Sequence, residues 1–153
     1  MVFLRTPEGS SIDKIEVSGN NSTKDYVIVR ELRIDPGEEN SQQKVENLPK
    51  RLNKLRYFDP VPIPQFYFDS ENKGVLLINV KERNTNNFDG IIGYVPPAKD
   101  NESGYVTGLV NVTLRNIFGT GRAAAVKWQK LTRESQELNL KYLEPWLFGY
   151  PFN

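Results

Sequence analysis

Hydrophobic and polar positions along this chain follow two rhythms: helical and strand periods mixed up to about Asn84, then long alternating runs beyond Phe88. In the first part, Ile12 to Val17 alternates, with Ile15 and Val17 on one face and Lys14 and Glu16 on the other, which predicts a strand. The GNNST turn follows, and Thr23 is the expected N-cap of a helix reaching Arg33, in which Val27, Ile28 and Leu32 share a face. Asp35-Pro36-Gly37 should end that helix. Ser41 stands where it can cap a second helix, whose Val45, Leu48, Leu52 and Leu55 form an apolar stripe with Pro49 inside it as an expected kink or late start. Tyr57-Phe58-Asp59-Pro60 closes the segment. Two strands, Val61 to Asp69 and Gly74 to Glu82, follow around the SENK turn, with Phe66 and Phe68 facing the helices beside Leu76, Ile78 and Val80.

The run RNTNN, Arg83 to Asn87, is short, polar and without period, as a linker is. It divides the chain into an N-terminal linker over 1–10, a first domain over 11–84 and a second over 85–153. Beyond Phe88 to Val95, Gly104 to Arg115 sets Val106, Val110, Val112 and Leu114 against Thr107, Asn111, Thr113 and Arg115. Arg122 to Thr132 opposes Ala124, Val126 and Trp128 to Lys127 and Gln129, and Glu137 to Leu143 opposes Leu138, Leu140 and Tyr142 to Asn139 and Lys141. Such strands approach the roughly 9 to 11 residues that cross a bilayer at a tilt, where about 5 or 6 is usual in soluble sheets. If they alternate direction, Phe88, Phe118, Trp146 and Phe148 fall at one end, where an aromatic girdle would sit. The short Asn116 to Gly121 turn and the more charged Pro96 to Ser103 and Arg133 to Gln136 loops fit the inner and outer ends of such a wall. A soluble antiparallel sheet with one wet face gives the same alternation and is the commoner arrangement, so the pattern by itself leaves both readings open.

Charge and composition remove other classes. The 20 basic and 19 acidic residues are interspersed and sum to +1, so no field gathers nucleic acid. Without cysteine or histidine the chain has no thiolate nucleophile, no imidazole base and none of the usual zinc ligands, and no catalytic residue, metal site or cofactor is expected. Phe118-Gly-Thr-Gly-Arg122 lacks the spacing of a phosphate loop and precedes a strand. The acidic pairs Glu38-Glu39, Asp69 with Glu71, and Asp100 with Glu102 sit in polar turns with nothing apolar to raise a pKa. The N-x-S/T triplets at Asn20, Asn101 and Asn111 are assigned no role. No apolar run nears the ~20 residues of a spanning helix, and Met1 to Arg5 is too short for a signal peptide, so export would require a longer natural chain.

Five motifs in order carry a resemblance: I-x-V-x-G-N at Ile15 to Asn20, T-x-D-x-V-I-x-R-E at Thr23 to Glu31, Pro36-Gly37, L-x-x-L-x-Y-F at Leu52 to Phe58, and V-x-E at Val80 to Glu82. Together they resemble a POTRA domain. N-I-F-G-T-G at Asn116 to Gly121 and E-P-W-L-F-G-x-P at Glu144 to Pro151 resemble the opening barrel strands that follow the last POTRA domain of BamA-type proteins. The resemblance covers nearly the whole chain. It implies an α+β fold, a β-α-α-β-β POTRA domain with a three-stranded mixed sheet and two helices, followed by about four antiparallel strands of a truncated outer-membrane barrel. It implies an outer-membrane location with the POTRA domain in the periplasm, and partners among unfolded outer-membrane proteins, periplasmic assembly lipoproteins and outer-membrane lipid.

The resemblance also makes the second POTRA strand the exposed edge, which Pro62 and Pro64 fit because proline is tolerated where no ladder partner is needed. Gln65, Phe66, Tyr67 and Phe68 are therefore the expected client-binding residues, with pairing beside Phe66 to Phe68 and not beside the prolines. Edge protection by proline is the plainer use of the same residues. Asp89, Gly90, Ile91, Ile92, Gly93 and Tyr94, weakened by two glycines and stopped by Pro96-Pro97, would border a lateral seam; the same glycines also suit strand curvature. Val106, Val110, Val112, Leu114, Val126, Trp128, Leu138, Leu140 and Tyr142 are expected to face lipid. About four strands fall short of the roughly eight that close a barrel, so the open edges should make the piece self-associate. A related autotransporter-assembly or two-partner secretion channel, or a soluble periplasmic binding or adaptor domain, remains an alternative.

Overall fold

The computed structural model describes residues 9–147 and 150–151. The described chain forms two units, one reaching Asn84 and taking in Phe118–Thr120, the other formed by Thr85–Ile117 and the residues from Gly121 onward.

The first unit runs β1 (Ser11–Ile12), β2 (Lys14–Ser18), α1 (Asp25–Leu32), β3 (Glu38–Glu39), α2 (Gln42–Asn53), β4 (Gln65–Phe68) and β5 (Gly74–Asn79). Strand β2 pairs parallel with β5, and β4 pairs antiparallel with β5, giving a mixed sheet in the order β2–β5–β4. The α+β class and the β-α-α-β-β order expected from the sequence are both present, with the short β1–β3 ladder as an addition. Val27, Ile28 and Leu32 of α1, Val45, Leu48 and Leu52 of α2, and Leu76 and Ile78 of β5 form one buried cluster. Burying such side chains stabilises by about 1.5–3 kcal/mol each, and this apolar layer holds the two helices on the sheet.

Several boundaries differ from the sequence expectation. The strand expected over Ile12 to Val17 breaks at Asp13, whose N–H donates to the Gly74 carbonyl (2.9 Å) while its carboxylate accepts from the Gly74 N–H (2.8 Å). Thr23 does not cap α1. The N-cap is Lys24, without a side-chain cap bond, and Thr23 is buried. The helix stops at Leu32, ahead of Asp35-Pro36-Gly37, because Arg33 enters the left-handed region (φ 53°) and Arg51 donates to the Leu32 carbonyl (2.5 Å). Ser41 does cap α2, its hydroxyl accepting from the Lys44 N–H (3.3 Å). The helix then continues through Pro49 to Asn53. Proline inside a helix costs about 3 kcal/mol, which the buried stripe of Val45, Leu48 and Leu52 offsets.

Glu82, the last residue of the V-x-E motif, organises the loop ahead of α1. Its carboxylate accepts from the N–H groups of Ser22 (3.0 Å) and Thr23 (2.6 Å). Desolvation pushes this carboxyl up, but the Thr23 and Ser22 N–H groups outweigh it and hold it below the ordinary carboxylate range. A depressed folded pKa means stability present above the ordinary glutamate value of about 4.3 and lost as pH falls through the folded value. Glu82→Gln should therefore cost about 1–2 kcal/mol near neutrality, with the gap closing below about pH 4. Urea denaturation of both proteins across that range checks it, and a gap that does not change with pH contradicts it.

The second unit is an antiparallel sheet, β6 (Asn87–Val95), β7 (Tyr105–Ile117), β8 (Arg122–Lys130) and β9 (Glu137–Leu143), paired in sequence order. A further short hairpin joins β10 (Trp146–Leu147) and β11 (Tyr150–Pro151). The E-P-W-L-F-G-x-P motif passes through this stretch, and its Phe148 and Gly149 lie outside the described residues, as do residues 1–8 of the expected N-terminal linker. A register shift between Leu114 and Ile117 marks a bulge before the turn to β8.

Candidate functional site

Three features of the structure are candidates for function: an open edge on the first sheet, an open edge on the second, and a continuous apolar face. On the first sheet, β4 lies at the edge, beyond β5. It is shorter than the Val61 to Asp69 strand expected, because Pro62 and Pro64 lack donors and the Val61 N–H goes to Asn53 Oδ1 (2.9 Å) instead of to a ladder. The prolines precede the strand and so cannot set its register.

The hairpin does that. Asp69 donates to the Lys73 carbonyl (3.0 Å), and Asn72, at φ 61°, donates to the Asp69 carbonyl (3.0 Å). Asp69 and Lys73 are thus a hydrogen-bonded pair. Since antiparallel pairs alternate, Tyr67–Val75 and Gln65–Leu77 are hydrogen-bonded too, and Phe66 and Phe68 turn their N–H and C=O groups to the free edge. The side chains divide the same way. Phe66 packs on the core while Phe68 is 46% exposed beside it, their rings edge-to-face at 5.3 Å. Gln65 and Tyr67 lie on the opposite face, where Tyr67 donates to Glu16 Oε2 (2.6 Å) across the sheet. That hydrogen bond, with help from Lys14, holds the Glu16 carboxyl below its ordinary range and pushes the Tyr67 phenol up.

On the second sheet, β6 lies at the edge, its Asp89 to Tyr94 paired in register with Asn111 to Val106 on one side only among the described residues. It ends at Val95, just before Pro96. Ile91 and Ile92 are both exposed. A side chain at Gly90 would meet the Leu109 carbonyl at 2.8 Å, so glycine here lets the two strands close up.

Directly paired residues share a face. The register therefore puts Phe88, Val112, Val126 and Leu140 in one row across all four strands, and Gly90, Val110, Trp128 and Leu138 in the next. Leu114 and Tyr142 follow with Ala124 toward one end, Val106 with Tyr94 toward the other. All nine residues expected to face lipid thus lie on one face. Val110 and Val126 are half-buried in the sheet and Leu140 is 68% exposed, and the unit has no helix among its described residues to cover them. The other face carries Asp89, Asn111, Lys127, Asn139 and Lys141 around a shallow concavity, with Asn111 donating to Asp89 (3.2 Å). Of the expected girdle, Phe88 and Phe118 are exposed, Trp146 begins β10, and Phe148 falls outside the described residues.

Sequence reasoning gave no role to Glu82 or Asp13, although the V-x-E motif already marked the former. The family model for the POTRA domain, surface antigen variable number repeat, matches residues 10–83. The outer membrane protein assembly factor BamA of Nitratidesulfovibrio vulgaris is 33% identical over 124 residues, 81% of this chain and 15% of that protein. A putative outer membrane protein assembly factor of Treponema pallidum is 31% identical over 151 residues, 94% of this chain and 17% of that protein. The chain thus spans about one sixth of the length of these relatives. The crystal structure of BamA from Haemophilus ducreyi lacking POTRA domains 1-3 has the same fold, with a TM-score of 0.69 over 92% of this chain and 25% of that one, at 21% identity.

Proposed function

The chain belongs to the BamA-type outer-membrane assembly factors, its residues 10–83 being a POTRA domain, and from that premise we propose that it captures unfolded outer-membrane proteins and guides them into the membrane. Its place is the outer membrane, with the POTRA domain in the periplasm. The observation that carries the proposal is the free edge of β4, where the backbone groups of Phe66 and Phe68 point away from the sheet beside the exposed Phe68 ring. An unfolded client can add a strand there. Main-chain hydrogen bonds supply the affinity, and they ignore most client side chains, which suits a factor handling many sequences. Phe68 gives an alternating apolar client strand one side chain to lie against. Gln65 and Tyr67 flank that pairing on the opposite face of the sheet.

The apolar face through Val110, Val126 and Leu140 is read as the lipid side of a barrel wall, with Lys127 and Asn139 turned to its interior. At the edge of that wall, Asp89 to Tyr94 is the strand a client would meet at a lateral seam. Both edges can template a strand without any bond-making chemistry, and the open edges are also where two copies would pair.

A crosslinking experiment tests both edges. Photoreactive residues at Phe68, Ile92, Pro62 and Pro64 are exposed to a peptide carrying an alternating outer-membrane strand. Adducts are expected at Phe68 and Ile92. Adducts confined to Pro62 and Pro64 would contradict the β4 reading, and none at Ile92 would remove the seam.

A further inference from the structure

From Lys50 to Arg56 the chain carries four cations, Lys50, Arg51, Lys54 and Arg56, in seven residues with no acidic residue among them. All four are exposed, as is Arg83. Arg83 is drawn to the same place: its N–H donates to the Tyr57 carbonyl (3.1 Å) and its Nε to the Arg56 carbonyl (3.2 Å). None of these five enters an ion pair among the described residues, while Asp59 close by in sequence pairs with Lys81.

Favourable interaction with a helix C-terminus accounts for cations in the last turn of α2, which holds Lys50 and Arg51. Arg51 is further occupied on the Leu32 carbonyl. That account stops at the helix end. Arg56, at φ 59°, and Arg83 lie outside the helix and satisfy no terminal carbonyl of it with their charge. Their gathering beside Lys54 concentrates positive charge beyond what the helix C-terminus accounts for.

We propose that Lys50, Lys54, Arg56 and Arg83 form a docking surface for the phosphates of anionic phospholipid headgroups. Guanidinium and ammonium groups match phosphate oxygens in charge and donor geometry, and four exposed cations are enough for a salt-sensitive attachment. Chain position selects lipid over an acidic protein: only residues 84–86 separate Arg83 from β6, the strand read above as the first in the bilayer. The inference rests on that membrane reading. It adds that the domain ahead of the barrel holds the membrane surface by itself, through charge.

Partition of the full chain onto vesicles separates the two. Vesicles of phosphatidylcholine alone report the apolar face, and vesicles with about one third phosphatidylglycerol add the headgroup charge. The wild-type chain is expected to favour the anionic vesicles about tenfold at low salt, with the preference vanishing at about 0.5 M salt. The combined change K54E, R56E and R83E should abolish the preference while leaving partition onto neutral vesicles unchanged. Because Arg83 and Arg56 lie beside the core, K50Q with K54Q serves as a second variant on exposed helix positions and should weaken the preference several-fold. K14E with K73E, which removes four units of positive charge against two for that second variant but at the β4–β5 hairpin end of the sheet, should leave it nearly intact. Equal partition of the wild-type chain onto both vesicles overturns the proposal and leaves the surface to an acidic protein, as does an equal loss in the K14E, K73E control. Failure to bind neutral vesicles at all would instead count against the membrane reading.

Discussion

Gly19→Ala should strip the POTRA domain of most of its stability. Gly19 sits at φ +88°, in the region that disfavours side chains, and a Cβ there would fall inside contact distance of the Val80 carbonyl oxygen. That oxygen belongs to backbone and has little room to yield, since the Val80 N–H is itself fixed on the Ser18 carbonyl (2.9 Å). The backbone strain costs about 1 kcal/mol and the clash adds more, for about 3–4 kcal/mol in all. A domain of this size has only about 5 kcal/mol to lose. Gly37 provides the contrast, with φ +83° but nothing within 4 Å of an added Cβ. Gly37→Ala should cost only about 1 kcal/mol. Urea denaturation followed by circular dichroism compares them, and equal midpoints for the two variants would defeat the steric account.

The second large effect concerns the apolar face. Val126 sits in the row Phe88, Val112, Val126 and Leu140, and its neighbour Ala125 faces the opposite way, beside Lys141 and Thr113. If the row touches acyl chains, Val126→Arg costs about 2–4 kcal/mol of folding into a bilayer, while Ala125→Arg, turned to a polar interior, costs little. The readout is the protease-protected fraction of the complete barrel after folding into phosphatidylcholine vesicles. A one-residue difference in position should separate a strong loss from near-normal insertion. Indifference to both changes would return the sheet to a water-soluble reading.

Strand β9 was legible in the sequence to the residue, because a two-sided environment imposes a period of two on it, and β6 was legible from the polar linker before it and the Pro96-Pro97 stop after it. The stripe of α2 was legible at the helical period from Val45 to Leu52 with Pro49 inside it, while Leu55 falls beyond the helix end at Asn53. The POTRA order came from five short motifs, and one of these, the glycine of I-x-V-x-G-N, now has a mechanical reason in the Val80 carbonyl. Other features were not legible. Thr23 has the chemistry of an N-cap, yet its backbone is taken by Glu82, 59 residues away, and the cap falls to Lys24. Likewise β4 was expected to run nine residues, from Val61 to Asp69, but Asn53 takes the Val61 N–H and leaves a ladder of four.

What the sequence determined alone was whatever depends on neighbours close in the chain: the two periodicities, the faces they define, and the absence of histidine and cysteine chemistry. The tertiary structure decided where backbone groups find their partners. It placed β4 at an edge, turned the Phe66 and Phe68 amides outward, ended α1 with Arg51, and gathered Arg83 beside Arg56. Side-chain polarity repeats along the chain and can be read there. A backbone N–H and C=O look the same at every residue, and only folding decides which of them are left open for a partner.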